Sequence, residues 1–324
     1  MSAAASVARE VPARILRGGL LWASRRRSLA RLATATPLTR GMVWRFVAGE
    51  TLEQGLDALE RLRDAGFRTT ADVLGESVAS AAMADQAVER YVRLLEGLAA
   101  RGLEGNVSLK LTQMGLDIDA SVCRASLERV LAAASATGAF VRVDMEDHAR
   151  TDATLGLVRE LRPTYPQVGV VVQAYLRRSA DDVSGLIASG TRVRLCKGAY
   201  QEPASVAYPH KTDVDTNYER LARRLLEGGP YPALATHDEP LIERLLAFVA
   251  ARGIDPAAYE FQMLYGVRRD LQDRLRREGH TVRLYVPIGT EWYPYFMRRL
   301  AERPANVLFM ARSLLHEERR RRSN

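Results

Sequence analysis

Two basic side chains stand at the end of a short alternating segment in the middle of the chain, Arg192–Tyr200. Val193 and Leu195 alternate with polar residues, which predicts a strand, and a glycine directly after Lys197 marks a sharp turn. Arg194 and Lys197 would then place two positive charges at a carboxyl end, which is where barrels of alternating strands and helices carry out chemistry. Solvated charges at a strand end are an equally good interpretation. The residues at the other strand ends must therefore decide between a functional site and solvated charges.

Polar side chains also follow the other predicted strands. In chain order the eight strand ends carry Glu76; Lys110; Asp144 and Glu146; Gln173; Arg194 and Lys197; Thr236, His237 and Asp238; Gln262; and Tyr285. The helix after the last strand adds Tyr295, Arg298 and Arg299. Burying so many polar groups without partners would be costly, so we expect them to share one functional site.

The residue types of this predicted site indicate its ligands. The lysines and arginines favour a carboxylate or a phosphate, and the adjacent Arg298 and Arg299 suit bidentate capture of a carboxylate. The amides of Gln173 and Gln262 and the hydroxyl of Thr236 suit the edge of a flat heterocycle. No activated serine or cysteine is evident, which favours a bulky cofactor that does the electronic work.

Strands and helices alternate along the chain without a linker. The predicted strands are 68–74, 106–111, 140–144, 167–173, 192–196, 233–236, 259–262 and 281–286. The predicted helices are 51–65, 81–101, 120–137, 151–161, 180–189, 214–227, 239–251, 267–278 and 293–302. This order predicts an α/β fold, a (β/α)8 TIM-like barrel with extra N-terminal helices and a final helix over the barrel mouth. An open doubly wound sheet usually carries a glycine-rich phosphate turn, and GxGxxG, GxxxxGK[ST] and GxSxG are all absent.

Composition limits the other possibilities. The 324 residues are 47% hydrophobic and 27% charged, as in ordinary soluble globular proteins. No uncharged apolar run approaches the ~20 residues that span a bilayer. The two cysteines, Cys123 and Cys196, favour a reducing compartment, and five scattered histidines without CxxC or HExxH spacing predict no metal site.

Much of the net charge of +8 lies near the two ends of the sequence. Residues 9–31 contain seven arginines and one acid, and residues 319–322 are four arginines. Such ends suit an anionic membrane surface or nucleic acid, although solvated arginines or a transit peptide are alternatives. We predict a basic helical arm at 1–50, a catalytic domain at 51–315 and a basic tail at 316–324.

Seven blocks of the sequence, in this order, resemble proline dehydrogenase in its short, single-function bacterial form. They are SLKL at 108–111, VDMED at 143–147, QAYLR at 173–177, RVRLCKGAY at 192–200, ATHDEP at 235–240, EFQMLYG at 260–266 and LYVPIGTEWYPYFMRRLAERPAN at 284–306. The resemblance implies a distorted barrel that binds FAD without a Rossmann domain. It also implies oxidation of L-proline to Δ1-pyrroline-5-carboxylate, with hydride passing from proline C5 to flavin N5 and electrons to a membrane quinone.

The resemblance also assigns roles to individual residues. Asp144 and Arg194 would be catalytic, Asp144 by orienting Lys110 and Arg194 by lying near flavin N5. The substrate carboxylate and ring would contact Lys110, Arg298, Arg299, Tyr285, Tyr295 and Leu264. The cofactor would contact Met145, Gln173, Arg194, Lys197, Gly198, Ala199, Thr236, His237 and Gln262. Glu76 would pair with Arg299 as a gate, and Lys211 could reach the pyrophosphate.

Partners and location follow from the same resemblance. We expect L-proline and a quinone as reactants, no nucleic-acid partner, and a cytoplasmic protein with peripheral attachment to the inner face of the membrane. No aldehyde-dehydrogenase half or DNA-binding module follows in the sequence, so a separate pyrroline-5-carboxylate dehydrogenase is expected downstream. Two other hypotheses remain open: a Schiff-base lyase using Lys197 or Lys110, and a non-enzymatic binder acting through its basic ends.

Overall fold

A computed structural model describes residues 37–75 and 78–302. The predicted basic helices within 8–34, the gate residue Glu76 and the basic tail lie outside the described residues.

Helices and strands alternate through most of the described chain. The helices are α1 Pro37–Phe46, α2 Leu52–Asp64, α3 Ala81–Ala100, α4 Ala120–Ala136, α5 Thr151–Leu161, α6 Ser179–Ala188, α7 Lys211–Gly228, α8 Glu239–Arg252, α9 Arg269–Arg277 and α10 Trp292–Glu302. The strands are β1 Arg68–Val73, β2 Asn106–Lys110, β3 Phe140–Asp144, β4 Val168–Gln173, β5 Val193–Cys196, β6 Ala233–Ala235, β7 Glu260–Leu264 and β8 Val282–Ile288. Short 3-10 turns occupy His148–Arg150 and Pro256–Ala258.

The eight strands form a closed barrel in chain order. The pairs from β1–β2 to β7–β8 are all parallel, which confirms the predicted (β/α)8 barrel. Strand β4 is buried along its whole length because helices cover the outer face of a parallel sheet while the barrel interior buries the other. In this register Lys110 of β2 lies opposite Asp144 of β3, and Gln262 of β7 lies opposite Arg283 of β8.

Local capping signals fix where several helices begin and end. Ser80 accepts a hydrogen bond from the backbone of Met83 at the start of α3, and Asp119 does the same for Ser121 at the start of α4. Helix α7 begins three residues before the predicted boundary, because Lys211 is already in its first turn and pairs with Asp215 one turn later.

The barrel interior holds charged side chains where TIM barrels usually hold branched aliphatic ones. Arg283 is fully buried and donates through Nε to both carboxylate oxygens of Glu260, at 2.9 and 3.0 Å. Arg142, 1% exposed, donates to the carbonyl oxygens of Arg192 and Val170. These contacts compensate part of the cost of removing charges from water.

The described chain divides into two compact units. One is Leu56–Val286, which contains the barrel strands except the last two residues of β8; the other combines the described residues up to Gly55 with those from Pro287. In the second unit the ring of Trp292 lies 6.2 Å from that of Trp44, and its Nε1 donates to Glu50 over 2.6 Å. The placement of α10 over the barrel mouth stays a prediction.

Candidate active site

Arg194 is the centre of a buried polar cluster inside the barrel. It is 5% exposed and extends from β5 to form hydrogen bonds with side chains of three other strands. Its Nε donates to Oε1 of Gln262 at 2.5 Å, its Nη1 to Oδ1 of Asp144 at 2.7 Å and its Nη2 to Oγ of Ser108 at 2.8 Å. The ring of Tyr285 lies 5.2 Å from its Cζ. Each of these contacts restricts the guanidinium, so it is a fixed positive charge.

Asp144, at the carboxyl end of β3, connects three of the predicted site residues. Its Oδ1 accepts from Arg194, and its Oδ2 accepts from the hydroxyl of Tyr285 at 2.8 Å. Lys110 Nζ lies 4.0 Å from Oδ2. Burial and the neighbouring Asp144 carboxylate raise the pKa of Tyr285 well above its ordinary value, so the phenol stays protonated and can donate.

Asp72 of β1 also belongs to this cluster, and sequence reasoning missed it. It is 1% exposed, and its Oδ1 lies 3.7 Å from Lys110 Nζ. The ammonium of Lys110 therefore lies between two carboxylates, those of Asp72 and Asp144. Ser108 was missed as well, although it precedes Lys110 by two residues and so shares its face of β2.

Gln113 and Tyr91 fix the ends of β1 and β2. The side chain of Gln113 accepts from the backbone of Lys110 at 3.1 Å and donates to the carbonyl oxygen of Val73 at 2.7 Å. The buried Tyr91 of α3 donates to the carbonyl of Ser108 at 2.7 Å. These bonds hold the two strand ends in place, and with them the backbone that carries Lys110.

Glu146 connects the loops after β2 and β3 with the end of β4. Its carboxylate accepts from the backbone and the hydroxyl of Thr112, at 3.0 and 2.7 Å, and its carbonyl oxygen accepts from the amide of Gln173 at 2.8 Å. Burial raises the pKa of Glu146, and the hydrogen bonds from Thr112 oppose that shift. Gln173, 3% exposed, and the buried Met145 adjoin this connection.

Two lysines and two aspartates meet beyond β5 and β6. Lys197 Nζ donates to Asp215 and, at 2.7 Å, to Asp238, and Lys211 contacts the same two carboxylates. Burial opposes ionisation of Asp238, but the hydrogen bonds from the lysines outweigh it and lower its pKa to about 2. Asp215 was not among the site residues predicted from the sequence.

The remaining predicted cofactor contacts lie at the same strand ends. His237 Nε2 accepts from the backbone N–H of Leu264 at 2.9 Å, so this nitrogen carries no proton. Thr236 is 5% exposed and accepts from the backbone of Asp238. After β5, Gly198 has a φ of 113°, and a Cβ there would lie 2.4 Å from the Tyr175 ring. Ala199 next to it is exposed.

The predicted clamp residues lie on α10, in the second unit. Tyr295 is buried, and the guanidinium of Arg299 lies over its ring at 5.2 Å. Arg298 is partly exposed. Their roles in holding substrate stay predictions, as does the gate role of Glu76.

Within residues 37–75 and 78–302, no group of three or more His, Cys, Asp or Glu side chains is arranged to hold a metal ion. Over the same stretches, no helix combines the length and the apolar character needed to cross a bilayer.

Comparison with known proteins gives one consistent relationship. The family model described as proline dehydrogenase matches residues 55–312. Proline dehydrogenase of Deinococcus radiodurans is 42% identical over 287 residues, covering 86% of this chain and 93% of the relative. Proline dehydrogenase 1 of Bacillus subtilis strain 168 is 39% identical over 301 residues, covering 93% and 99%.

A solved structure agrees with the sequence comparisons. Proline utilization A (PutA) from Bdellovibrio bacteriovorus, inactivated by N-propargylglycine, superposes with a TM-score of 0.75 at 29% identity, over 81% of this chain. This chain spans 32% of the length of that larger protein. The family-model match and these relatives show that the chain belongs to the proline dehydrogenase family.

Proposed function

We propose that the protein oxidises L-proline to Δ1-pyrroline-5-carboxylate with a bound FAD and passes the electrons to a membrane quinone. The observation that carries this proposal is the cluster of Lys110, Asp144 and Arg194 inside the barrel of a proline dehydrogenase family member. When bound, FAD would supply the hydride acceptor at N5. The protein's own residues would bind, orient and shield the substrate.

The residues present fit this cofactor by the chemistry of their donors and acceptors. Arg194 is a fixed cation that would stabilise an electron-rich reduced ring. Lys197 and the exposed Lys211 could face a diphosphate, and the amide of Gln173 suits the edge of the ring system. The glycine at 198 lets the chain pass directly against the Tyr175 ring, where a larger residue would overlap it.

Binding of the substrate would depend on fixed positive charge. Lys110, held between Asp72 and Asp144, would meet the proline carboxylate together with Arg298 and Arg299. Fixing the carboxylate orients C5, which converts a collision into a positioned reaction. Hydride loss requires the neutral amine, and surrounding cations disfavour the ammonium form. We assign no protein base.

The absorption spectrum before and after substrate tests the proposal. Purified protein reconstituted with FAD should be yellow, and the flavin band should bleach under anaerobic conditions when L-proline is added. Protein that takes up no FAD, or a band unchanged by L-proline, would refute it. Trapping of substrate on Lys110 or Lys197 by borohydride would instead favour a Schiff-base lyase.

Quinone and membrane are tested separately. Reoxidation of the proline-reduced protein by a soluble quinone should be faster than by dioxygen. Flotation with anionic liposomes at low salt should bring the protein up with the vesicles, and absence of binding there would reject peripheral attachment.

A further inference from the structure

Gln262 lies between an arginine and a carboxylate inside the barrel. Its Oε1 accepts from Nε of Arg194 at 2.5 Å, and its Nε2 donates to Oε1 of Glu260 at 2.5 Å. Arg194, Gln262 and Glu260 are 5%, 3% and 1% exposed, so water does not compete for these bonds. The amide of Gln262 is therefore occupied at both of its ends.

Glu260, the first residue of β7, is itself held in place by Arg283 of β8. Arg283 donates to both of its oxygens, and Arg283 in turn donates to the carbonyl of Thr69 at 2.7 Å and to Glu104 at 2.8 Å. Burial opposes ionisation of Glu260, but the charge of Arg283 outweighs it and lowers the pKa of the carboxyl. Glu260 therefore acts only as an acceptor toward Gln262.

The two neighbours of Gln262 permit only one orientation of its amide. Arg194 can only donate, so it requires the carbonyl oxygen, and the Glu260 carboxylate can only accept, so it requires the NH2 group. A flipped amide would set donor against donor and acceptor against acceptor at two buried sites, and each mismatch is costly. The carboxylate of Glu260 thus determines what Gln262 presents to Arg194.

We infer that Glu260 and Gln262 are positioning residues that fix the guanidinium of Arg194 from the interior of the barrel. What Arg194 does once fixed rests on the proposed function; the fixing itself does not. Gln262, predicted from sequence as a cofactor contact, thereby gains a second role. Glu260 gains a role that its strand-start position did not indicate.

We call the hydrogen-bonded series Glu260, Gln262 and Arg194 the relay. Four variants test it: Glu260→Gln, Gln262→Met, their double, and Glu104→Gln as matched control. Gln at 260 can donate as well as accept, so it no longer selects one amide orientation, and Met at 262 keeps length without hydrogen bonds. Glu104 contacts the same Arg283 but not Gln262. Glu104→Gln therefore perturbs the Arg283–Glu104 ion pair and leaves the hydrogen bond between Glu260 and Gln262 in place.

The first readout is the side-chain Nε–H resonance of Arg194 in protein without added flavin, assigned by its loss in Arg194→Lys. Glu260→Gln and Gln262→Met should each shift it and speed its exchange with solvent, while Glu104→Gln leaves it in place. An Arg194 resonance that Glu260→Gln does not move, or that Glu104→Gln moves equally, overturns the inference.

The second readout is turnover. Each single relay variant should lower kcat by about tenfold, the effect of one misplaced hydrogen-bonded group. Adding Glu260→Gln to Gln262→Met should lower kcat little further, because the effects of residues acting in series are not additive, whereas two independent structural effects would multiply.

If Glu260→Gln does not fold, Glu260→Asp keeps the charge opposite Arg283 while shortening its reach to Gln262, and the same shift of the Arg194 resonance is expected. Wild-type protein that takes up no FAD would sink the proposed function and leave the resonance experiment valid.

Discussion

The hydroxyl of Tyr285 donates a hydrogen bond to Asp144 over 2.8 Å, on the oxygen that Arg194 leaves free. One carboxylate thus joins β3 to both β5 and β8. The same Tyr285 ring lies under the guanidinium of Arg194. Tyrosine, arginine and aspartate therefore form a closed triangle in which each side chain limits the movement of the other two.

Tyr285→Phe keeps the ring under Arg194 and removes only the hydrogen bond to Asp144. An unsatisfied buried acceptor costs about 1–3 kcal/mol of stability, so Tm should fall by a few degrees. Because Asp144 also holds Arg194 and lies near Lys110, we expect kcat/KM for L-proline to fall by roughly tenfold as well. Steady-state kinetics and thermal unfolding check this. The control is Tyr259→Phe, whose lost hydroxyl contacts His280. An equal loss in the control would contradict a specific role for the Asp144 contact.

Asp72→Asn tests the carboxylate that sequence reasoning missed. Lys110 would keep Asp144 but lose the charge 3.7 Å away that restrains its ammonium. We expect the KM for L-proline to rise by about five- to tenfold, more than kcat changes, because a less ordered lysine binds a carboxylate less well. Asp85→Asn, which removes a surface partner of Arg129, should leave both constants unchanged. A fall in kcat with constant KM would disprove a role in substrate binding.

The order of strands and helices, and with it the barrel, could be predicted because each strand is a short apolar segment between turn signals. Most members of the buried cluster around Arg194 could be named because they follow those strands. Ser108 could have been found by counting two residues back from Lys110 along its strand. The contacts of Arg194 with Ser108 and Gln262 could not, since they cross the barrel and depend on closure and register rather than on local pattern. Asp215 could not be found either, because the sequence pattern predicts its helix but does not indicate that the first turn of this helix lies against Lys197.

Acid stability should depend on the lysine–aspartate group beyond β5 and β6. The pKa of Asp238 is lowered from 3.8 to about 2 in the folded protein, so its contribution is present above about pH 4 and is lost as pH falls toward 2. A shift of this size corresponds to at most about 2 kcal/mol, which solvent screening at this partly exposed group reduces to roughly 1 kcal/mol. Asp238→Asn should lower Tm at pH 5 and flatten its decline between pH 4 and 2, and Asn would still cap α8.

Lys197→Met provides the partner in a double-mutant cycle for Asp238. If the two side chains stabilise each other, the double variant should lose less than the sum of the single changes. Calorimetric scans at half-unit pH steps measure both effects. An Asp238→Asn variant whose Tm declines between pH 4 and 2 as steeply as the wild type would show that the lysine contacts do not lower this pKa.

Gly198→Ala should disrupt the chain after β5 by more than its backbone angle alone would require. The added Cβ would lie 2.4 Å from the ring of the buried Tyr175, at a φ of 113° that other residues rarely adopt. Gly102→Ala is the control, because its φ of 61° is also positive but nothing lies within 4 Å of the new Cβ. We expect about 1 kcal/mol of destabilisation for Gly102→Ala and a clearly larger loss, with weaker FAD uptake, for Gly198→Ala. Equal losses in urea unfolding would mean that the contact with Tyr175 relaxes without cost.

Arg298→Met and Arg299→Met test the clamp predicted on α10. Methionine keeps the apolar length of the arginine stem and removes the charge. If the arginine binds the proline carboxylate, its replacement should therefore raise KM and leave flavin binding unchanged. We expect KM to rise by at least tenfold in each variant, since charged hydrogen bonds contribute about 1.5–3 kcal/mol, with the ratio of FAD to protein unchanged. Arg277→Met, on the exposed part of α9, is the matched control and should change neither. Loss of FAD in step with loss of activity would instead place these arginines on the cofactor.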